Sequence, residues 1–429
     1  MASITLLILL VIFVLLGAPI GFVLVLIPTT FIIITGEVPW TMIPYNMYES
    51  LAHPPLIAIP FFMLTGELMT SATITDRLIE LSRALVGRAR GGLAQVNIVV
   101  SMFFAGMNGS VVADTATVGS ILIPAMKRAG YSAAFSAAVT SVSATIGGII
   151  PPSIGMIILA TVASLSVGAL FSGGIIPGIM IGVTLMVITW FIAKRRNYER
   201  SDESWNIKRV WRAFTGCFLA LSIPIVLVGS IVGGIASPVE AGALTAITAF
   251  LLGLFVYRSL DAPILIGAIT RAFKTAAAVF IIIAAAGPFS WLLTRLGTLK
   301  FVETFMLGFT DDPLMFAVML ILLILVVGMI MDAAANIIVV GPVLIQVAVQ
   351  AGYPEVQAAL VIVVGFLIGT VTPPIGVAYF TGSSIARAKL EVVAVEMVPY
   401  LLAEFGVLFL MMIISPITMW LPKVFGFVE

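Results

Sequence analysis

The sequence predicts an all-α polytopic membrane protein built from two inverted-topology repeats, each with a small polar island and a broken helix. Three observations carry that expectation. The composition is one that only lipid can solvate, apolar segments long enough to span a bilayer follow one another along the chain, and a motif at Gly106 returns 222 positions later at Gly328.

Composition comes first. Hydrophobic residues make up 61% of the 429, charged residues only 10%, and mean hydropathy is +1.22. A soluble protein carries about 25% charged residues to cover its surface, so most of this surface must face lipid. The net charge of +1 supplies no field for nucleic acid or acidic partners. The single cysteine, Cys217, cannot form an internal disulfide and reads as a small buried apolar residue. One histidine, His53, with no second His and no Cys cluster, argues against a zinc or haem site. His53 is expected where a helix begins near the membrane interface. The opening run MASITLLILLVIFVLLGAPIGF has no basic n-region and no small-residue cleavage site, and reads as a retained first span.

A span needs about 20 apolar residues. Candidate segments fall near 4–35, 54–70, 93–127, 132–160 and 167–193, then near 213–234, 237–257, 263–298, 314–350, 355–383 and 394–421. Several are too long, or too broken by Gly and Pro, to be one simple helix. Between the two series lies a polar segment, within which Lys194, Arg195, Arg196, Arg200, Lys208, Arg209 and Arg212 predict a cytoplasmic location. The expected organisation is a first repeat over 1–196 with transport elements at about 93–160, a cytoplasmic linker at 197–212, and a second repeat over 213–429 with transport elements at about 314–383. Residues 72–92 place Leu78, Ile79, Leu81, Leu85 and Val86 at helical spacing among Asp76, Arg77, Glu80, Arg83, Arg88 and Arg90, which predicts a helix lying in the membrane interface.

The repeat aligns without a gap from 106–152 onto 328–374, with roughly a third of positions identical. Gly119 pairs with Gly341, Tyr131 with Tyr353, Gly147 with Gly369 and Pro151 with Pro373. Equivalent loops swap charge. Lys127 and Arg128 align with Val349 and Gln350, whereas Arg387 and Lys389 align with an uncharged stretch of the first copy. That exchange is expected if equivalent loops lie on opposite sides of the membrane, an architecture that puts a transporter's site at the repeat interface near the midplane.

Each copy carries a small polar island and a Pro-Pro break. Adjacent prolines remove two N–H donors and free nearby carbonyls, and such backbone is tolerated at membrane depth where it lines a cavity or binds something. Freed carbonyls and hydroxyls are hard oxygen ligands suited to Na⁺, and half-helix N-termini suit a carboxylate. The expected cation ligands are Asn108, Ser110, Asp114, Thr115, Thr145, Gly147 and Ile149 in the first copy. In the second they are Asp332, Asn336, Gly369, Thr370, Val371 and Thr372. The expected anion contacts are Thr117, Ser143, Pro151, Pro152, Ser153, Pro373 and Pro374. Ser110 aligns with Asp332 and Asp114 with Asn336, so each copy has one Asp and one neutral oxygen ligand four residues apart on one helical face. An ionised Asp inside a membrane points to a functional site; the competing reading is that either Asp caps a hairpin arm. Glu67, Glu240, Arg295 and Glu404 also sit in apolar contexts and are expected to serve structure.

With Ile59-Pro60-Phe61-Phe62, Thr65-Gly66-Glu67-Leu68, the stretch SVVADTATVGSILIP at 110–124 and the AGY to Pro-Pro-Ser-Ile-Gly stretch at 129–155 in view, the chain resembles the large membrane subunit of tripartite ATP-independent periplasmic (TRAP) transporters, the DctM-like family. The resemblance covers essentially the whole chain. It implies an elevator-type fold similar to divalent anion/sodium symporters, with a scaffold domain and a mobile transport domain that carries two re-entrant hairpins. It places hairpin tips near 108–117 and 332–336 and their partner loops at 145–153 and 369–374, with sodium between tip and loop. It further implies Na⁺ symport of an organic acid such as a C4-dicarboxylate or a sialic acid, across the bacterial inner membrane. The partners implied are a small membrane subunit of about four helices and a periplasmic substrate-binding protein. Where Asn108-Gly109 stand in copy one, copy two has Ile330-Met331, so two cation sites could not be equivalent. A proton-coupled anion transporter acting without a binding protein is the alternative. A channel would need a continuous polar pore, an ATP-driven pump would need a phosphate-binding G-x-x-x-x-G-K-[ST] motif absent here, and an aspartyl protease would need Asp114 and Asp332 close together.

Overall fold

A computed structural model describes residues 2–72, 74–198, 206–310 and 312–428, and among these every regular element is helical. The first repeat runs α1 (Ala2–Leu15), α2 (Ile20–Thr35), α3 (Met42–Leu51), α4 (Ala58–Ser71), α5 (Ile74–Val86), α6 (Gly92–Asn108), α7 (Val111–Arg128), α8 (Ala133–Ser143), α9 (Thr145–Ile149), α10 (Ile154–Val162) and α11 (Val167–Arg195). The second runs α12 (Ile207–Val232), α13 (Pro238–Leu251, continued by a π turn to Val256), α14 (Ala262–Arg295), α15 (Thr298–Phe309), α16 (Pro313–Ile330), α17 (Ala333–Val339), α18 (Gly341–Gln350), α19 (Glu355–Gly369), α20 (Val377–Ala386), α21 (Leu390–Ile413) and α22 (Pro416–Val424).

The 222-residue offset persists through the element order. It maps α6 onto α16, α7 onto α17 and α18, α8 with α9 onto α19, α10 onto α20 and α11 onto α21. The copies differ where proline punctuation differs. His53-Pro54-Pro55 bends α3 against α4 by 65°, while the equivalent stretch of copy two is the unbroken 34-residue α14. Six helices of the described residues are long and apolar enough to cross a membrane, and up to nine if each of three bent pairs is one span. The long segments 93–127 and 314–350 are each broken in two, at Gly109-Ser110 and Met331-Asp332, and α16, the first arm of the second, is itself one of the six.

Packing sorts the helices into two groups that each draw on both repeats. In one, α4 lies on α13 and α14, α14 on α2 and α3, and α12 on α5 and α13. In the other, α16 lies on α19, α20 on α7 and α8, and α21 on α8, α11 and α19. The centre of the second group is α19, where every side chain from Val356 to Gly369 is buried. A helix that is apolar all round has no solvent face to offer and is placed inside; its one buried amide, Gln357, donates from Nε2 to the carbonyls of Met411 and Met412 at 2.9 and 2.7 Å.

The amphipathic segment forms α5, but its apolar side faces protein. Ile74, Leu78, Ile79 and Leu81 are buried in a cluster with Phe104 of α6 and Cys217, Ala220 and Ile223 of α12, whereas Leu85 stays exposed. Small residues at 213, 217 and 220 let α12 come close enough to cover that stripe. Residues 199–205 of the expected linker, Arg200 included, lie outside the described set.

Candidate functional site

Where the two groups of helices meet, both hairpin tips open onto one cavity of about 300 Å³. One wall is Gly109 to Ala113 from the first tip, with Ile154 and Gly155 at the start of α10. A second is Asp332 to Ala334 from the second tip, with Leu367 and Thr370 from the end of α19. The third comes from the other group, as Met63 and Glu67 of α4 and Ala272, Thr275, Ala278, Val279 and Ile282 of α14.

Each tip rests on its own broken helix. Gly109 has φ +56° and lies so close to the Pro-Pro break that a Cβ there would stand 3.0 Å from Ile154 N and 3.1 Å from Pro152 O. In the second repeat the contact is glycine on glycine, since a Cβ on Gly369 would stand 2.6 Å from Cα of Gly328. Both prolyl pairs, Pro151-Pro152 and Pro373-Pro374, have cis peptide bonds. The tips are capped alike. Ser110 Oγ accepts from Ala113 N at 3.5 Å and Asp332 Oδ1 from Ala334 N at 2.9 Å. The first turns of α7 and α10 both border the cavity and bring positive dipole ends to it.

The two aspartates are in different situations. Asp332 is exposed and serves as the N-cap of α17. Asp114 is 1% exposed, and among the described residues neither carboxylate oxygen has a hydrogen-bond partner. It lies against the first break, with Oδ2 3.5 Å from where a Gly147 Cβ would be. Its aligned residue, Asn336, is fully buried, spends Nδ2 on the carbonyls of Met331 (3.0 Å) and Val327 (3.3 Å), and leaves Oδ1 unpaired. A buried carboxylate without a partner is strongly destabilising as an ion, whereas an unpaired amide oxygen costs only its desolvation.

The other expected ligands divide. Thr145 is buried, and its Oγ1 hydrogen-bonds the carboxylate of Glu404 and the carbonyl of Val142. Gly147 lies against Asp114 on the short α9, and Ile149 is buried at the end of that helix. Thr115 is buried and turned back to Val111 O at 2.8 Å. Thr370 borders the cavity, with Oγ1 on Leu367 O at 2.6 Å. Val371 and Thr372 are buried in the second break, where the Gly369 carbonyl accepts from Thr372 N at 3.0 Å. Asn108 ends α6, and its side chain lies outside the described set. Among the expected anion contacts, Ser153 caps α10 through Met156 N at 3.3 Å. Ser143 joins a buried cluster with Ser101 and Asn97 at 3.3 and 3.4 Å. Pro151 and Pro152 are buried behind Ile154, Pro373 and Pro374 lie in the second break, and Thr117 is a turn further along α7. The residues that border the cavity are their neighbours at the helix starts.

Glu404, expected to serve structure, is the other buried carboxylate near the breaks. It stands on α21, 259 positions from Thr145, at 1% exposure, with Oε2 unpaired. No motif marks it; the only signal was an acid in an apolar run. The α14 wall supplies Thr275, which the sequence did not single out, and Glu67, 28% exposed and expected to serve structure, is paired with Arg271 Nε at 2.8 Å. The other two charges named in the sequence have local partners. Glu240 completes a capping box with Ser237, and Arg295 lies 5.7 Å from the Trp291 ring centre.

The model of the family described as "Tripartite ATP-independent periplasmic transporter, DctM component" matches residues 7–417. The chain belongs to the DctM family. This DctM chain is 32% identical over 409 residues to the sialic acid TRAP transporter large permease protein of Vibrio cholerae, covering 95% of this chain and 96% of that one. It is 33% identical to the 2,3-diketo-L-gulonate TRAP transporter large permease protein of Escherichia coli, over 82% of this chain and 83% of that one. It is 30% identical to the C4-dicarboxylate TRAP transporter large permease protein of Rhodobacter capsulatus, over 96% of each. The crystal structure of the Alcanivorax borkumensis YdaH transporter superposes with a TM-score of 0.61 over 90% of this chain and 89% of that one, at 16% identity, which shows a shared fold. The DctM chain is thus a TRAP transporter large permease, a multi-pass protein of the bacterial inner membrane and a transporter subunit.

Proposed function

We propose that the chain carries an organic acid across the membrane by Na⁺ symport. The observation that carries this reading is the cavity shared by both hairpin tips, with unpaired buried oxygens of Asp114 and Asn336 in the first turns behind those tips. The anion sits in the cavity against the N-terminal turns of α7 and α10. Na⁺ sits between tip and break, where Asp114 faces Gly147 in one repeat and Asn336 follows the Gly328–Gly369 contact in the other. Ordering these junctions by Na⁺ completes the anion site, so each ligand raises the other's affinity by the same factor. The group of helices holding α6 to α11 and α16 to α22 then moves the site past the group holding α4 and α14, in elevator fashion. Relatives named for sialic acid, isethionate, diketo-gulonate and C4-dicarboxylate share an acidic substrate, which supports an organic anion here. The substrate arrives from a periplasmic binding protein, and a small membrane subunit completes the assembly.

Proton coupling is the second reading, favoured by the burial of two carboxylates, Asp114 and Glu404. Uptake of candidate organic acids into proteoliposomes holding this chain, its small subunit and its binding protein separates the two. Uptake with an imposed Na⁺ gradient and none with K⁺ plus a pH gradient is the expected result. Uptake driven by the pH gradient alone overturns Na⁺ symport and makes the carboxylates proton carriers.

A further inference from the structure

Far from the tips, α5 and the start of α12 enclose a second cavity of about 500 Å³. Arg77, Lys208, Arg209 and Arg212 line it against one carboxylate, Glu80. That carboxylate is spent, because Arg209 Nη2 and Nε reach Glu80 Oε1 at 2.9 and 3.2 Å. Arg77 is held over the cavity by the Gly216 carbonyl at 3.1 Å and lies 4.6 Å from the Tyr257 ring centre. Among the described residues no ion pair engages Lys208 or Arg212. Among the described residues, three cationic charges in excess therefore converge on one concave surface.

The adjoining face of α12 is apolar and outward. Ile207, Trp211, Phe214 and Phe218 recur at helical spacing and are 61%, 66%, 37% and 54% exposed. Trp211 and Phe214 rings stand 6.2 Å apart, and Phe214 and Phe218 rings 5.7 Å apart. Aromatic side chains beside basic ones at a helix end mark the headgroup level of a bilayer, and basic pockets between helices on the cytoplasmic side suit anionic headgroups. A dissolved anion would use the cations alone. A phospholipid uses both surfaces, its phosphate in the pocket and its acyl chains along the aromatic stripe.

We propose that the cavity between α5 and α12 is a binding site for an anionic phospholipid headgroup of the cytoplasmic leaflet. Its position gives binding a consequence. Helix α5 joins α4 directly to the hairpin helix α6, so a lipid bridging Arg77 to Lys208 and Arg212 ties one end of that connection to α12. The site does not depend on the identity of the coupling ion or substrate.

The test uses the full chain in phosphatidylcholine nanodiscs. Phosphatidylglycerol or cardiolipin is added by exchange and scored by native mass spectrometry of retained lipid and by the unfolding temperature. Inorganic phosphate at millimolar concentration is the separate arm. Anionic lipid should be retained and raise the unfolding temperature, phosphate should do neither, and Lys208→Gln/Arg212→Gln should weaken retention about tenfold or more. Among the described residues those two side chains hold no ion-pair partner, so the variant should fold as the parent does, and its unfolding temperature in phosphatidylcholine alone checks that. Equal retention by parent and variant overturns the proposal. So does stabilisation by phosphate equal to that by lipid, which would make the pocket a site for dissolved anions.

Discussion

Gly369→Ala puts the tip-and-break contact of the second repeat to the test. The new methyl would meet Cα and C of Gly328 at 2.6 Å and its carbonyl oxygen at 3.0 Å. Those are backbone atoms, so no rotamer change relieves the clash, and ordinary contact begins near 3.4 Å. The ends of α16 and α19 must therefore part by about 0.8 Å. Overpacking of that kind costs about 1–3 kcal/mol, which a folded membrane domain can survive. A metal-ligand set tolerates about 0.2 Å, so the cation site between these elements should not. The expectation is a folded protein whose Na⁺ affinity, read from uptake against Na⁺ concentration in proteoliposomes, falls tenfold or more, with little loss of unfolding temperature. Gly406→Ala is the control, since a Cβ there meets nothing within 4 Å and an alanine favours the α21 helix. Wild-type Na⁺ dependence in Gly369→Ala would refute the assignment of a cation site to this junction.

Three further expectations follow from the same geometry. Asp114→Ala should abolish the cation dependence of transport, while Asp332→Asn should keep the α17 cap, because Asn caps as well as Asp, so that any change in Na⁺ dependence there reports charge alone; Asp332→Ala adds about 1 kcal/mol of lost capping, visible in thermal unfolding. Glu404→Gln retains an acceptor for Thr145 and should leave the unfolding temperature within a few degrees while lowering Na⁺ affinity, whereas Glu404→Ala leaves the Thr145 hydroxyl only the Val142 carbonyl, removes its hydrogen bond to a charged group and should also destabilise by about 1–3 kcal/mol; transport by Glu404→Gln that is indistinguishable from wild type would return Glu404 to a structural role. Glu67→Gln and Arg271→Gln should act oppositely on anion affinity, the first freeing a cation beside the cavity and the second leaving a lone carboxylate in its wall, while each changes stability by no more than about 1 kcal/mol because the pair is half exposed; shifts of the same sign would show that the pair does not act through charge.

How much of this was legible in the sequence depended on how local the signal is. Helix breaks at Gly109, Pro151 and Pro373 are written in single residues whose backbone chemistry admits little else, and the repeat is a register that any reader of the chain can align. The buried α19 was legible as an unrelieved apolar run. The fate of an amphipathic stripe was not, because Leu78 and Ile79 are equally well buried by lipid or by α12, and only the approach of Cys217 and Ala220 decides between them.

The sequence by itself therefore determined the solvent, the duplication, the hairpins and the Pro-Pro breaks, since composition and backbone stereochemistry act within a few residues. Only the tertiary structure decided which polar atoms are left unpaired. Asp114 and Asp332 look alike in the chain, yet one is sealed without a partner and the other is spent on a helix cap. Glu404 and Thr145, 259 positions apart, meet only because α21 packs across α8. Burial and partnership are properties of neighbours brought together from distant parts of the chain, and no local pattern encodes them.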